Sequence, residues 1–238
     1  MIVRDQHALA RFADILQAIA GSAPEVVHLG TARAKIQAHA QSACKTVSVA
    51  MAAAVDECAD ADATVSVADF ISTMRLLRQA KEVELEFRSD ALVFECADDN
   101  DDRTCIRVPR IDHPPCAMRA FPPAETRLHD PAKLVQALNT FSFHGKTLSL
   151  KSRDGAVVVS SALRESESGV AIAVKLPSEN EANLDVAFNT SAIGVMKRFV
   201  PKLGRLEVGV GTATGLTLSC ETANAKMLAH ILPLEVHD

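Results

Sequence analysis

The spacing of apolar residues changes repeatedly along the chain. Between Ala8 and Ile19, Phe12, Ile15, Leu16 and Ile19 recur at helical spacing with Arg11, Asp14 and Gln17 off the stripe, which predicts a helix stopped by Gly21-Ser22. Val26 to Leu29 and Lys35 to Ala40 read as short strands around Gly30-Thr31, and Thr46 to Met51 as another through alternating Val47 and Val49. The acidic, Ala-rich run from Asp56 to Ala63 reads as a loop, and Thr64 to Val67 as a brief strand. A second helix is predicted over Asp69 to Gln79, its buried stripe formed by Phe70, Ile71, Met74 and Leu77. Val83 to Phe87 and Ala91 to Cys96 alternate with period two across Arg88-Ser89-Asp90, a hairpin, and Thr104 to Val108 closes this half.

The same order then returns. Pro131 behind a capping Asp130 opens a helix with Leu134, Ala137, Leu138 and Phe141 on its apolar face. Thr147 to Leu150 and Ala156 to Ser160 flank Arg153-Asp154-Gly155. Val170 to Leu176 and Leu184 to Phe188 are strands, and Ser191 to Val200 is a helix halted before Pro201. Arg205 to Val210 and Leu216 to Cys220 form a hairpin around Gly211 to Gly215, and Ala225 to Leu232 ends the pattern. Phe12 falls on Leu134, Leu16 on Leu138, Leu85 on Val208, Phe87 on Val210, Phe94 on Leu218 and Cys96 on Cys220, at offsets of about 122 to 124 residues. One module written twice is the simplest reading. Helices set apart from mainly antiparallel hairpins make it α+β, with helices on one face of each sheet.

Between the copies lies Ile111 to Thr126, whose two proline pairs cannot donate to a ladder and force their predecessors toward extended backbone. The predicted organisation is therefore residues 1–111, a connector over 112–126, and residues 127–238. Met118 and Phe121 are apolar where a flexible linker would be polar. They either pin the connector to the body as a strap or wall a groove beneath it, and Ile231-Leu232-Pro233-Leu234 could supply the other wall.

Composition narrows the functions. The 238 residues carry 48% hydrophobic and 23% charged side chains, ordinary for a globular chain, but no Trp or Tyr and only nine Phe. Stacking of bases on aromatic rings is therefore not expected. The net charge of -5 leaves no globally basic surface, so any nucleic-acid contact must come from local clusters. Six cysteines without a Cys-x-x-Cys pair read as reduced core residues. The charged Met1 to Asp5 argues against a secretory signal, and no apolar run approaches membrane-spanning length.

Basic residues recur at matched helix positions, Arg11 on Lys133 and Arg75 on Lys197, with Arg78, Lys81, Arg198 and Lys202 beside them. Any surface helix has flanking cations, yet coincidence at both repeat-related pairs favours an electropositive wall for phosphates, which holds DNA without reading it. Gly209 to Gly215 joins two strands and opens no helix, so it is a turn and not a phosphate loop. The acidic run Asp98, Asp99, Asp101, Asp102 has Arg103 where a calcium loop needs Gly. The eight His show no ligand spacing, and no nucleophile elbow or paired carboxylates occur, so neither catalysis nor a cofactor is expected.

Lys35-Ile36-Gln37-Ala38, Ala91-Leu92-Val93-Phe94-Glu95 and Ala229-His230-Ile231-Leu232-Pro233, in order and joined by the duplication and connector, resemble the sliding clamps of the proliferating cell nuclear antigen type. The resemblance covers nearly the whole chain. It implies two similar α+β domains per subunit, helices lining a central channel and antiparallel sheets outside, usually three subunits head to tail. It makes Arg11, Arg75, Arg78, Lys81, Lys133, Lys197, Arg198 and Lys202 the wall that slides on duplex phosphates. His39, Met118, Phe121, His230, Ile231, Leu232 and Pro233 fall where such clamps bind short motifs of polymerases and repair factors. Cys105, Ile106 and Val108, with Ile172 and Val174, look like edge-strand residues paired between subunits. The implied activity is a DNA polymerase processivity factor with double-stranded DNA, polymerase and a clamp loader as partners. The alternatives are a subunit of a heterotrimeric checkpoint clamp and a monomeric or dimeric viral factor. A nuclear location follows for a eukaryotic cell or its virus, otherwise a cytoplasmic one. The first helix has one cation where these clamps commonly have several, and His230 and Ile231 replace their aromatic residues.

Overall fold

A computed structural model describes residues 2–3, 6–18, 25–42, 47–56, 59–80, 82–97, 103–113, 123–130, 132–134, 136, 147–153, 155–162, 171–179, 183–189, 195 and 205–234. The chain divides into two compact units, Met1–Arg119 with Glu221–Met227 and Ala120–Cys220 with Leu228–Asp238.

In the first unit, α1 (Gln6–Ala18) buries Phe12, Ile15 and Leu16, the predicted stripe, while His7 and Gln17 stay exposed. Strands β1 (Val26–Ala32), β2 (Lys35–Gln41), β3 (Val47–Ala54) and β4 (Ala61–Ser66) form antiparallel pairs β1–β2, β2–β3 and β1–β4. Val27 and Leu29 of β1 and Ile36, Ala38 and Ala40 of β2 are buried at alternate positions, so one face of the sheet is apolar. Gly30 and Thr31 lie inside β1, not at its turn. The turn is Arg33-Ala34, with φ of 50° and 56° and Ala32 opposite Lys35. β4 also takes in Ala61 to Ala63, expected as loop, because they pair with Leu29 to Thr31 and Thr31 Oγ1 accepts from the Ala61 N–H at 2.9 Å.

Helix α2 (Val67–Leu76) starts two residues before the predicted position. Ser66 is its cap, its Oγ accepting from the Asp69 N–H at 3.5 Å, so Val67 begins the helix instead of ending the strand. A single 3-10 turn, Leu77–Gln79, ends it. Phe70 meets Phe12 of the α1 stripe, and Val67, Thr73 and Met74 are also buried. β5 (Glu82–Phe87), β6 (Ala91–Ala97) and β7 (Arg103–Pro109) then form a three-stranded antiparallel sheet. Beyond it the chain runs along β4: Arg110 bridges Val65, and the Ile111 N–H donates to the Thr64 carbonyl at 2.8 Å.

In the second unit β8 (Thr126–Arg127) is a two-residue strand at the end of the predicted connector, paired with β13 (Arg205–Gly211). Residues 132–134 and 136 are helical behind Asp130, whose Oδ1 accepts from the Lys133 N–H at 3.3 Å, and Leu134 is buried as expected. β9 (Thr147–Arg153), β10 (Ala156–Ala162), β11 (Ala171–Pro177) and β12 (Asp185–Asn189) pair as β9–β10, β10–β11 and β9–β12. β13, β14 (Gly215–Glu221) and β15 (Ala225–Ile231) follow in the order β13-β14-β15, Glu221 and Ala225–Met227 being the stretch counted with the first unit. Val195 is helical and fully buried.

The pairing of β1 to β7 is thus repeated by β9 to β15, strand for strand, and both leading hairpins close through two residues, Ala32 to Lys35 and Arg153 to Ala156. The repeat is imperfect in its packing. Val210 and Cys220 are buried, while their counterparts Phe87 and Cys96 are half-buried. Cys105 departs from the expected core role, because its strand has a covered neighbour on one side only and its side chain is exposed. Cys44, Cys58, Cys116 and the run 98–102 lie outside the described residues. Gly209 to Gly215 is a strand-to-strand turn, as read. Gly215 has φ of 77°, and a Cβ there would run into the Ile231 carbonyl oxygen, so no other residue fits without displacing β15.

Candidate nucleic-acid and partner surfaces

The stripes of α1 and α2 turn inward to Phe12 and Phe70, which sets the side chains between the stripes toward solvent. Arg11 is half-buried, whereas Arg75 and Arg78 are exposed. Arg78 is held in an ion pair with Asp14 of α1 and half of its side chain stays in solvent. Asp14 therefore neutralises one of the three cations, and the sequence pattern placed it off the stripe without showing that it would meet Arg78, 64 residues away. Asp69, in the first turn of α2, is exposed where a carboxylate suits the positive helix end. Leu76, 70% exposed, is an apolar patch beside Arg75.

In the second unit Lys133 is exposed and its Nζ lies 3.5 Å from Asp130 Oδ2, so the residue that caps the helix also shares the charge. Lys81, Lys197, Arg198 and Lys202 lie outside the described residues. The described cations form a sparse field, partly balanced by Asp14 and Asp130. That suits weak, screened contact with phosphate oxygens and not a tight site.

Of the proposed partner-binding residues, His39 belongs to the first unit and is buried in β2, opposite His28 of β1 and Ala50 of β3. Its Nδ1 has no hydrogen-bond partner among the described residues. Burial pushes the His39 imidazole below its ordinary range, and neighbouring His28 adds to this. His28 Nδ1 lies 2.8 Å from Thr64 Oγ1, and its ring is 5.4 Å from that of His113, just past β7. Burial and His113 lower its protonation in turn. Neither His28 nor His113 stood out in the sequence. The signal was the two-strand register that sets His28 beside His39, and the misplaced turn hid it.

In the second unit His230 Nε2 is hydrogen-bonded to the Thr214 carbonyl. Ile231 is 1% exposed, because β15 alternation sends its side chain inward with Ala229 and Met227, and it offers no surface to a partner. Leu232 is exposed, Pro233 half-buried and Leu234 exposed, with the Leu234 N–H donating to the Ala187 carbonyl at 2.7 Å. Met118 and Phe121 lie outside the described residues. At the end of the connector, Glu125 Oε1 accepts from both the N–H and the hydroxyl of Thr212 at 2.8 Å, a clasp on the β13–β14 turn that composition gave no reason to expect.

Among the described residues β7 ends the three-stranded sheet and β11 ends the four-stranded one, so each has one ladder side unpaired. On β7 Cys105 is exposed and Ile106 half-buried, but Val108 is 2% exposed, its side chain directed into its own unit. Only the backbone of Val108 remains for a neighbour. On β11 Val174 is half-buried, and the Ile172 side chain lies outside the described residues.

Two α+β units of one topology, each with helical segments and two antiparallel sheet groups, define the sliding-clamp fold. The chain has the fold of proliferating cell nuclear antigen. It superposes on that protein from Entamoeba histolytica with a TM-score of 0.79 at 10% identity, covering 98% of each chain. The PCNA2-PCNA3 complex from Sulfolobus tokodaii matches with a TM-score of 0.73 at 11% identity over 95% of this chain and 96% of the other. The antigen from Thermococcus kodakaraensis gives 0.72 at 14% over 94% and 97%. No protein-family model matches the chain, and no curated protein matches it in sequence.

Proposed function

We propose that this chain is a sliding-clamp subunit: a non-enzymatic ring component that encircles duplex DNA and tethers a polymerase or repair protein to it. The observation that carries this reading is the strand-for-strand repetition of β1–β7 in β9–β15, together with likeness in fold to solved clamps over 94% to 98% of the chain. On this reading residues 1–111 and 127–238 are the two domains, and 112–126 the connector between them. Arg11, Arg75 and Arg78, with Lys81, Lys133, Lys197, Arg198 and Lys202, face the DNA. The unpaired ladder sides of β7 and β11 join neighbouring subunits; Leu232 and Pro233, with Phe121 and His230 of the same unit, receive partner motifs, Met118 is carried by the connector, and the buried His39 offers them no surface. Processivity comes from topology, so the phosphate contacts need only be weak and diffuse.

Light scattering tests the assembly, a homotrimer giving three times the subunit mass of 25.4 kDa. Retention on nicked circular DNA with release on linearisation tests encirclement, and binding that ignores linearisation rejects the ring. A second reading, a subunit that closes a ring only with different chains, is supported by the likeness to a complex of two distinct clamp subunits. It predicts a mass of one subunit for the purified chain.

A further inference from the structure

Three histidines of the first unit lie in a line on the sheet face opposite the helix stripes. His39 on β2 stands opposite His28 on β1, His28 stands opposite Thr64 on β4, and His113 lays its ring 5.4 Å from the His28 ring. His113 comes two residues after Ile111, whose N–H is bonded to the Thr64 carbonyl. The stack therefore sits where the chain leaves the sheet for the connector.

We propose that this histidine stack is a pH-sensitive mooring, which holds the start of the connector on β1 and β4 when the rings are neutral and releases it when they are protonated. The argument is one of geometry and charge. When neutral, the His28 and His113 rings pack with their planes tilted at 54° and no charge penalty, and a neutral His28 satisfies its Nδ1 on the Thr64 hydroxyl at 2.8 Å. Protonation sets like charges side by side in a partly buried place, where screening is weaker than in water.

The groups that face the stack do not offset this. From β2 the same face adds exposed Lys35, and from β3 it adds uncharged Ser48, Ala50 and Ala52. From β4 it adds Asp62, whose mostly solvent-exposed carboxylate lies 3.8 Å from Arg110. The departing segment itself carries Arg110 and the exposed Asp112. Among the described residues no carboxylate counters the lowering at His28 or at His39. The lowered protonation of His28 and His39 agrees with this arrangement.

Amide hydrogen exchange of the full chain tests it, with the Ile111 N–H as reporter and exchange expressed as protection so that intrinsic pH dependence cancels. Protection of Ile111 should fall several-fold between about pH 7.5 and about pH 4.5, the lower value lying well below the ordinary imidazole range because burial lowers His28 and His39, while amides of β6 keep theirs. His28→Gln and His113→Gln should each remove the pH dependence. Equal protection at both pH values, an equal fall in both variants, or a parallel fall in β6 would overturn the proposal. Should a variant fail to fold, the ring resonances of the unsubstituted chain decide. His28 must titrate below the ordinary imidazole range, and its titration within that range overturns the mooring.

Discussion

The rings of Phe12 and Phe70 meet edge to face, with centroids 6.1 Å apart and planes at 77°, and neither is exposed at all. This contact packs α1 against α2 and helps fix the spacing of the side chains on their outer sides, Arg11 and Asp14 on one helix and Arg75 on the other. In a chain without Trp or Tyr, few rings are available to do this. Phe70→Ala removes the ring partner and leaves a cavity that the surrounding β-sheet cannot fill, so unfolding free energy should drop by about 3–5 kcal/mol. Urea titration measures it. Phe70→Leu should cost clearly less, and equal losses for the two would argue that the ring pair adds nothing beyond volume.

The β1–β2 turn invites the opposite change. Arg33 and Ala34 both adopt positive φ, 50° and 56°, the geometry of a two-residue hairpin turn that Asn-Gly fills without strain. Each L side chain with a Cβ held there costs roughly 1 kcal/mol. Arg33→Asn with Ala34→Gly should therefore raise the urea midpoint, by about 1 kcal/mol in stability, with an unchanged slope. A lower midpoint would mean that Arg33 or Ala34 makes a stabilising contact exceeding the strain.

That turn also marks where the sequence stopped being legible. Periodicity located the strands because burial on one face enforces alternation, and it found the duplication because both copies bury the same face. Phe12 and Leu134 are both 0–1% exposed. Turn chemistry failed at Arg33-Ala34, where the residues carry no turn signature and the nearby Gly30 carried a false one. The start of β4 failed for a related reason: Ala61 to Ala63 form a strand through pairing with β1, a contact invisible to local composition. The same divide runs through individual side chains. Position on a helix follows from spacing, while the neutralisation of Arg78 by Asp14 and the seating of His113 against His28 depend on partners far away in the chain. Val108 and Ile231 were expected on surfaces by analogy, and strand alternation had already directed both inward.

His39 gives a prediction about stability and pH. Its ring is buried, its Nδ1 lacks a partner among the described residues, and its protonation is pushed down first by burial and then by His28. A group whose folded value lies below its unfolded value adds stability that is fully present above the unfolded value, near pH 6.5, and lost as pH falls through the folded value. His39→Leu removes the orphan nitrogen and this dependence together. The variant should be as stable as the parent at about pH 7.5, or more stable by up to about 1 kcal/mol, and should lose less on acidification. Urea midpoints at two pH values measure both, and a variant with the parent's full acid sensitivity would place the titrating group elsewhere.

The ion pair between Asp14 and Arg78 sets the last expectation, which rests on the clamp reading. Both side chains are substantially exposed, 49% for Arg78 and 32% for Asp14, so the pair is worth at most about 1 kcal/mol and a phosphate can compete for the guanidinium. Asp14→Asn should leave stability nearly unchanged, free the Arg78 charge, and strengthen non-specific binding to a short duplex. The log–log salt dependence should steepen by roughly one phosphate equivalent, about 0.9 in slope. Arg75→Ala, with no ion pair to release among the described residues, should shift the slope by a similar amount in the opposite direction. Fluorescence anisotropy on labelled duplex across a salt series separates the two. Were Asp14→Asn and Arg75→Ala both without effect on the slope, α1 and α2 would not face the DNA.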